Sequence, residues 1–202
     1  MNSFIFASSL VLAFIIAIYI HKDKNKQQAT EENYWNKEHK SNFVRKKSLE
    51  NLNYITIPEN IMTLQPKNPT PQILSYLQDL QDISALKIVN LTGISNTDLK
   101  LTYGTANITI LSEYDVHYTQ MVTILQKLAE SLVASEDNEN AIHVLEFAIS
   151  TGSDVSKSYY LLSELYTQVG TPEKIRVLIQ QAQNIQSIMR NSILQHLQAS
   201  FQ

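Results

Sequence analysis

The C-terminal half of the chain repeats its pattern of apolar and small residues at a spacing of 34. The paired positions are Leu128 and Leu162, Ala129 and Ser163, Leu132 and Tyr166, Ala141 and Ile175, Val144 and Leu178, Leu145 and Ile179, and Ala148 and Ala182. A repeat of this length builds one supersecondary unit twice, and each unit buries its apolar face against the next. This pattern constrains the fold more than any other feature of the sequence.

Each repeat predicts two helices joined by a short turn. The predicted helices cover 114–134, 138–150, 155–169 and 172–188. Asp137 or Asn138 can cap the second helix, and Asp154 can cap the third. Gly170 ends the third helix, and Pro172 begins the fourth. The C-terminal half is therefore predicted to be helical throughout.

Two further helices flank the repeats. Apolar residues at helical spacing predict a helix over 71–86, with Thr70 as its N-cap and Pro71 in its first turn. In the tail, 183–202, apolar residues recur every four positions: Ile185, Met189, Ile193, Leu197 and Phe201. The tail is predicted either to cap the repeat stack or to pair with another copy of the chain.

The repeated unit resembles the tetratricopeptide repeat, a helix-turn-helix unit of 34 residues. The residues that carry the likeness are Leu162, Tyr166, Gly170, Pro172 and Ala182, together with Leu128, Ala141 and Ala148 of the earlier unit. Glu136 and Asp137 depart from the family pattern, which usually has a glycine here. The resemblance implies a curved surface that binds peptides or proteins, with Gln126, Glu130, Tyr159 and Ser163 as candidate binding residues.

Residues 87–112 are less regular. Apolar and polar residues alternate over Leu99–Tyr103 and again over Ile108–Ile110, and glycines interrupt the segment. This pattern predicts a long ordered loop or a small β-hairpin insert. The expected fold is therefore mainly α, with one irregular insert in a tetratricopeptide-like domain over 71–202.

The N-terminal segment is strongly apolar. Over 4–20, 15 of 17 residues are apolar, and no charged residue precedes Lys22. A helix of this length spans roughly 25–30 Å, close to the thickness of the bilayer hydrocarbon. A cleaved signal peptide is the alternative, but a basic n-region and an A-x-A cleavage pattern are missing. Residues 1–21 are predicted to form a transmembrane helix that contacts membrane lipid through 4–20.

Charge asymmetry predicts the orientation of this helix. Residues 22–47 hold eight basic and four acidic residues, a net of +4, whereas 48–202 carry −7. Because Lys and Arg beside a transmembrane end stay in the cytoplasm, the N-terminus is expected outside and the C-terminal domain inside. A cell-membrane, single-pass protein is predicted.

The basic segment is predicted to be a juxtamembrane helix over 22–52, followed by a linker over 53–70. Tyr34, Trp35 and Phe43 are its aromatic residues. The helix could lie on anionic lipid headgroups, or it could be solvated and only set the topology. Nucleic acid is not expected as a partner, because the domain that follows is acidic.

Most of the chain also resembles a family of uncharacterised bacterial single-pass membrane proteins with a tetratricopeptide-like C-terminal half. The segments that carry the likeness are Asn42–Lys47, Leu52–Pro58, Asn96–Lys100 with Tyr103-Gly104, and Leu145–Ala148 before Thr151-Gly152. This resemblance implies no activity.

Catalytic signatures are absent from the sequence. There is no cysteine, which excludes disulfides, thiolate metal sites and cysteine nucleophiles, and the four glycines are scattered. Glu113 and His117 share a helix face and could hold a metal or relay a proton, but the favoured explanation is an acidic first turn stabilised by the helix dipole. Asn96, Thr97 and Asp98 could recognise a ligand or form a turn and cap.

We therefore expect a membrane-anchored interaction or scaffold protein without catalysis, cofactor or metal. The alternatives are a structural subunit of an oligomeric membrane complex and, third, an enzyme that uses Glu113 and His117.

Overall fold

The structure is a computed structural model that describes Lys22 and residues 31–201. Its helices are α1 (31–42), α2 (Glu59–Met62), α3 (Pro71–Ser84), α4 (Asn96–Tyr103), α5 (Ile108–Ala134), α6 (Asn138–Ser150), α7 (Ser156–Gln168), α8 (Lys174–Gln183) and α9 (Arg190–Ser200), with a 3-10 turn at Thr105–Asn107. Extended pairing within 31–201 is limited to one isolated antiparallel bridge between Tyr54 and Val89. The prediction of a mainly α fold is confirmed.

The chain divides into two compact units. The collar unit contains the described residues up to Lys47 together with Ser95–Ile108. The repeat unit contains Ser48–Ile94 and the chain from Thr109 onward. The chain crosses from one unit to the other at 47, 94 and 108.

The repeat unit buries the residues that recur at a spacing of 34. Leu128 and Leu162, Val144 and Leu178, and the pair Ala148 and Ala182 are each at most 1% exposed and belong to one continuous core. Complete burial of a leucine stabilises a fold by roughly 2 kcal/mol. The all-helical arrangement therefore fits a helical repeat, as the spacing predicts.

The turns that end α5 and α7 are closed by the same backbone hydrogen bonds, 34 residues apart. The Asp137 N–H donates to the Leu132 carbonyl (2.9 Å), and the Thr171 N–H donates to the Tyr166 carbonyl (2.8 Å). Such a bond across six residues needs a left-handed residue just before the donor. Glu136 (φ 60°) fills this position in the first repeat, where a side chain carries strain that glycine avoids.

Replacing Glu136 with glycine should therefore stabilise the repeat unit. We expect Glu136→Gly to raise the free energy of unfolding by about 1 kcal/mol, measured by circular dichroism during urea unfolding of the chain in detergent. Gly170→Ala is the matched control at the equivalent turn. It should lower stability through the backbone alone, because no atom lies within 4 Å of the added methyl group. A loss of stability in Glu136→Gly would contradict this account of the turn.

The segment predicted as a linker, 53–70, contributes to the core of the repeat unit. Ile57 and Ile61 are each 2% exposed and pack into the same cluster as the repeat helices. The Lys67 N–H also donates to the Asp137 carboxylate (2.9 Å). The prolines interrupt regular structure as expected, but the apolar residues between them are buried, so the segment is packed rather than free.

The predicted β-hairpin insert is wrong, because its first strand is helix α4. The Ser95 side chain accepts a hydrogen bond from the Asp98 N–H and caps this helix. Thr97 and Leu99 are buried, and Gly104 ends the helix at φ 90°. The alternation that suggests a strand is too short to outweigh a capped helical turn.

The juxtamembrane helix predicted over 22–52 ends at residue 42 in the described part of the chain. After α1 the backbone pairs with the end of α4 instead of continuing the helix. The Lys47 N–H donates to the Tyr103 carbonyl (3.0 Å), and the Thr105 N–H donates to the Val44 carbonyl (3.3 Å). These bonds fix the collar unit and satisfy backbone groups that a helix would otherwise use.

Helix α9 closes the repeat unit. Its apolar residues Ile193 and Leu197 are fully buried, and α9 packs on α7 and α8. The rings of Tyr160 and His196 lie 3.8 Å apart between centroids. The tail helix begins at Arg190 rather than 183, and Ile188 before it is 95% exposed. This packing favours the capping interpretation of the tail over pairing with another copy.

Within residues 31–201, no helix combines the length and the apolar character needed to cross a membrane. The predicted transmembrane segment, 4–20, lies outside the described residues and stays a prediction.

Candidate protein-interaction groove

Three of the four residues predicted to bind a partner are buried. Gln126, Tyr159 and Ser163 are at most 7% exposed. Each has an internal partner: the Ser158 hydroxyl donates to Gln126 (2.6 Å), Tyr159 donates to the Ser153 carbonyl (2.9 Å), and Ser163 donates to the Tyr160 carbonyl (2.8 Å). Glu130 is exposed and accepts a hydrogen bond from Gln126. The bond between Ser158 and Gln126 joins α7 to α5, and the other bonds are local. Gln126, Tyr159 and Ser163 are therefore part of the packed interior rather than of a binding surface.

An open groove lies instead between α3 and α5, with a volume of about 440 Å³. Its lining residues are Asp79, Asp82, Ile83, Leu86, Thr119, Gln120, Thr123 and Ile124. Leu86, which is 47% exposed, and the partly buried Ile124 provide its apolar surface, and Ile83 is a core residue at its base. Asp79 and Asp82 lie on the exposed side of α3. The groove therefore combines an apolar surface with two carboxylates, which we name the α3–α5 groove.

Local sequence features place α3 firmly. The Thr70 hydroxyl accepts a hydrogen bond from the Ile73 N–H, and Pro71 occupies the first turn. Ile73 and Leu80 are fully buried on the opposite side of the helix from the groove carboxylates. Because one side of α3 is fixed in the core, the other side presents Asp79 and Asp82 in a defined position.

The polar side chains of the groove differ in their availability. The Thr119 hydroxyl donates to the Asp115 carbonyl (3.0 Å), and the Thr123 hydroxyl donates to the Thr119 carbonyl (2.7 Å). Asp82 accepts from the Gln78 amide (2.9 Å). In the part of the chain that the structure describes, neither Asp79 nor Asp82 forms an ion pair. The groove is therefore electronegative and lacks an internal cation.

The cluster around Glu113 and His117 has another role. The His117 Nδ1 lies 2.9 Å from the Lys87 carbonyl oxygen, and the Asp115 carboxylate accepts from the Leu91 N–H (3.0 Å). Glu113 is exposed. No group of three His, Asp or Glu residues within 31–201 has the geometry to hold a metal ion. His117 and Asp115 thus anchor the loop before α4 onto α5.

A second depression, of about 260 Å³, is lined largely by amides, including Asn90, Gln181 and Asn184. The Asn90 amide donates to the carbonyls of Thr151 (3.0 Å) and Gly152 (3.1 Å). Its carbonyl oxygen accepts from the Thr92 N–H. Asn90 therefore fastens a loop to the end of α6, and this depression offers less apolar surface than the α3–α5 groove.

Sequence reasoning missed the groove. Asp79 and Asp82 lie on the polar side of a predicted helix, and Thr119 and Thr123 lie on another, about 40 positions away. Nothing in either local pattern indicates that these two faces meet. No protein-family model, curated protein or solved structure matches the chain, so the tetratricopeptide likeness depends on the repeat itself.

Proposed function

We propose that this chain is a membrane-anchored interaction protein whose α3–α5 groove binds a segment of a partner protein. The observation that supports this proposal most directly is the groove itself, which combines exposed apolar surface with unpaired carboxylates in the described part of the chain. Apolar grooves with a few placed polar groups are the usual sites of helical peptide recognition.

The repeat unit is proposed to be tetratricopeptide-like. The 34-residue spacing of buried residues and the matching turns after α5 and α7 support this class. In this class the stacked helices expose a surface, rather than an enclosed pocket, to a partner. That architecture supports the proposed interaction or scaffold function, and we propose no catalytic role for it.

Residues 4–20 are proposed to anchor the chain in the cell membrane, with the N-terminus outside. The apolar run and the basic residues that follow it support this topology. The repeat unit would then meet its partner at the cytoplasmic face of the membrane.

The partner segment is proposed to be a basic amphipathic helix. Ile83, Leu86 and Ile124 would pack against its apolar face, and Asp79 and Asp82 would pair with its lysines or arginines. Such charge pairs at the rim of an interface steer association and select the partner's sign of charge. An acidic helix of the same shape would be repelled.

A peptide pair tests this proposal. We expect the full chain in detergent to bind an amphipathic helical peptide of leucine and lysine, and not its leucine and glutamate counterpart, in fluorescence anisotropy titrations. Asp79→Lys/Asp82→Lys should weaken binding at least about tenfold, equivalent to about 1.4 kcal/mol. Leu86→Glu should weaken it as well, because it places a charge in the apolar surface.

The matched control is Glu164→Lys/Glu173→Lys, which makes the same charge change at exposed sites of α7 and just before α8. This variant should bind like the wild type. Equal loss in both double variants would show that net charge, rather than the groove, determines binding, and would contradict the proposal.

A further inference from the structure

One side of α1 is neutralised by α4 within the collar unit. The Glu38 carboxylate pairs with the Lys100 ammonium group and accepts a hydrogen bond from Thr97. Lys37 pairs with Asp98 at 2.6 Å. The hydrogen bond and ion pair with Lys100 lower the pKa of Glu38. This side of α1 is therefore occupied by contacts with α4.

The other side of α1 exposes aromatic rings. Trp35 and His39 are four positions apart on one side of α1, and Phe43 follows at the same spacing in the turn directly after the helix. Trp35 is 66% exposed and Phe43 is 74% exposed. The His39 and Phe43 rings are 5.0 Å apart between centroids. The opposite side of α1 forms the ion pairs with α4. The Trp35 and Phe43 rings therefore form an apolar surface that is exposed in the described part of the chain.

Basic side chains accompany this aromatic side. Lys40, Arg45 and Lys46 are exposed, and none of them forms an ion pair within the described residues. The basic residues that do form ion pairs in the collar unit, Lys37 and Lys100, are on the α4 side. These three cations, Lys40 on α1 and Arg45 and Lys46 in the segment after it, therefore keep their positive charge within the described residues. Exposed aromatic rings with nearby cations suit the interface of an anionic bilayer.

The position of the collar unit along the chain agrees with a bilayer surface. Ten residues separate Ile20, the last residue of the apolar run, from Glu31, the first residue of α1. Even fully extended, this stretch reaches about 40 Å at most. If 4–20 spans the membrane, α1 is confined within that distance of the headgroups, which gives it a high effective concentration there.

We infer that a surface formed by α1 and the residues directly after it docks on the surface of an anionic lipid bilayer. Its aromatic residues are Trp35, His39 and Phe43, and its basic residues are Lys40, Arg45 and Lys46. The rings enter the headgroup region, and the three cations pair with lipid phosphates. This inference uses the proposed anchor only to bring α1 near the bilayer. The collar unit would thereby make a second, charge-dependent membrane contact.

Trp35 is the single tryptophan of the chain, so its fluorescence reports this contact alone. The full chain is reconstituted into vesicles of phosphatidylcholine, with or without phosphatidylglycerol, and quenching by lipids brominated near the headgroup is measured. We expect blue-shifted emission and at least twofold stronger quenching in the anionic vesicles. High salt should reduce the difference, because it screens the cations.

A charge variant and a matched control complete the test. Lys40→Gln/Arg45→Gln/Lys46→Gln should abolish the difference between the two vesicle types. Lys127→Gln/Lys157→Gln/Arg190→Gln removes the same charge from exposed sites of the repeat unit and should leave it unchanged. Equal quenching of wild-type Trp35 in both vesicle types, or an equal effect of both triple variants, would overturn the inference.

Flotation of the same vesicles separates this inference from the proposed anchor. Flotation with both lipids, but without Trp35 quenching, retains the anchor and overturns the docking of α1. If the chain floats only with anionic vesicles and Trp35 is quenched, the result supports the docking of α1 and contradicts the proposal that 4–20 anchors the chain. A chain that floats with neither vesicle overturns both.

Discussion

Replacing Asp137 with alanine should lower the free energy of unfolding of the repeat unit by about 3 kcal/mol. The Asp137 carboxylate is fully buried, caps α6 and accepts hydrogen bonds from the Lys67 N–H (2.9 Å) and the Asn140 amide (2.7 Å). Loss of a cap costs about 1 kcal/mol, and loss of a hydrogen bond to a charged acceptor costs about 1.5–3 kcal/mol. Urea unfolding followed by circular dichroism measures the change.

Two comparisons make this prediction specific. Asp137→Asn keeps one acceptor oxygen and should lose clearly less stability than Asp137→Ala. Acid should mimic the substitution. Burial alone would raise the pKa of Asp137, but the hydrogen bonds from Lys67 and Asn140 outweigh it, so the pKa is lowered on folding. Its contribution is therefore complete above the unfolded pKa of about 3.9 and is lost as the pH falls through the lower folded pKa.

If Asp137→Ala unfolded at the same urea concentration as the wild type, the hydrogen bond from the Lys67 N–H to Asp137 would contribute nothing to the free energy of unfolding. The packed segment 53–70 would then be held by its other contacts, which include the buried Ile57 and Ile61, the partly buried Ile55, Met62 and Leu64, and the bridge between Tyr54 and Val89.

Replacing Gly104 with alanine should disrupt the collar unit. Gly104 has φ 90°, and an added Cβ atom would lie 2.2 Å from the Arg45 carbonyl oxygen and 2.8 Å from the Lys46 Cα. Both contacts are with backbone atoms, which cannot relieve the overlap by a rotamer change as a flexible side chain can. Overpacking costs about 1–3 kcal/mol, and the left-handed conformation adds about 1 kcal/mol for alanine.

Amide hydrogen exchange reports this change locally. The bonds from Lys47 to Tyr103 and from Thr105 to Val44 cross the crowded site. A loss of about 2 kcal/mol would speed exchange at both N–H groups by about 30-fold. Gly170→Ala is the control, since its φ is also positive but its surroundings are empty. Unchanged exchange at Lys47 and Thr105 in Gly104→Ala would contradict the described approach of the two segments.

The helices of the repeats could be predicted from the sequence because their signals are local and agree with each other. The spacing of Leu128 and Leu162, with Gly170 after α7, places α6 and α7 to within one residue. By contrast, α5 begins six residues before the predicted start at 114, and α8 ends five residues before the predicted end at 188. The repeat also predicts the backbone conformation of the turn after α5. Glu136 stands 34 positions before Gly170, so the register itself indicates a left-handed residue there.

Other features depend on contacts between distant segments. The tetratricopeptide resemblance predicts Gln126 on the binding surface, yet Ser158 and Glu130 satisfy its amide and allow burial. Helix α4 was mistaken for a strand because a five-residue alternation fits both states. The α3–α5 groove forms where one face of α3 lies beside one face of α5. The local sequence of either helix does not predict which helix lies beside it.

Photocrosslinking in living cells tests whether the α3–α5 groove binds a partner protein. A photoreactive amino acid replaces Gln120 in the α3–α5 groove or, as a control, Glu173 at an exposed site outside it. The account predicts a discrete crosslinked partner from position 120 only. Mass spectrometry should place the crosslink in a basic amphipathic helix, and Asp79→Lys/Asp82→Lys should remove the product. Equal products from both positions, or a product that survives the double substitution, would contradict it.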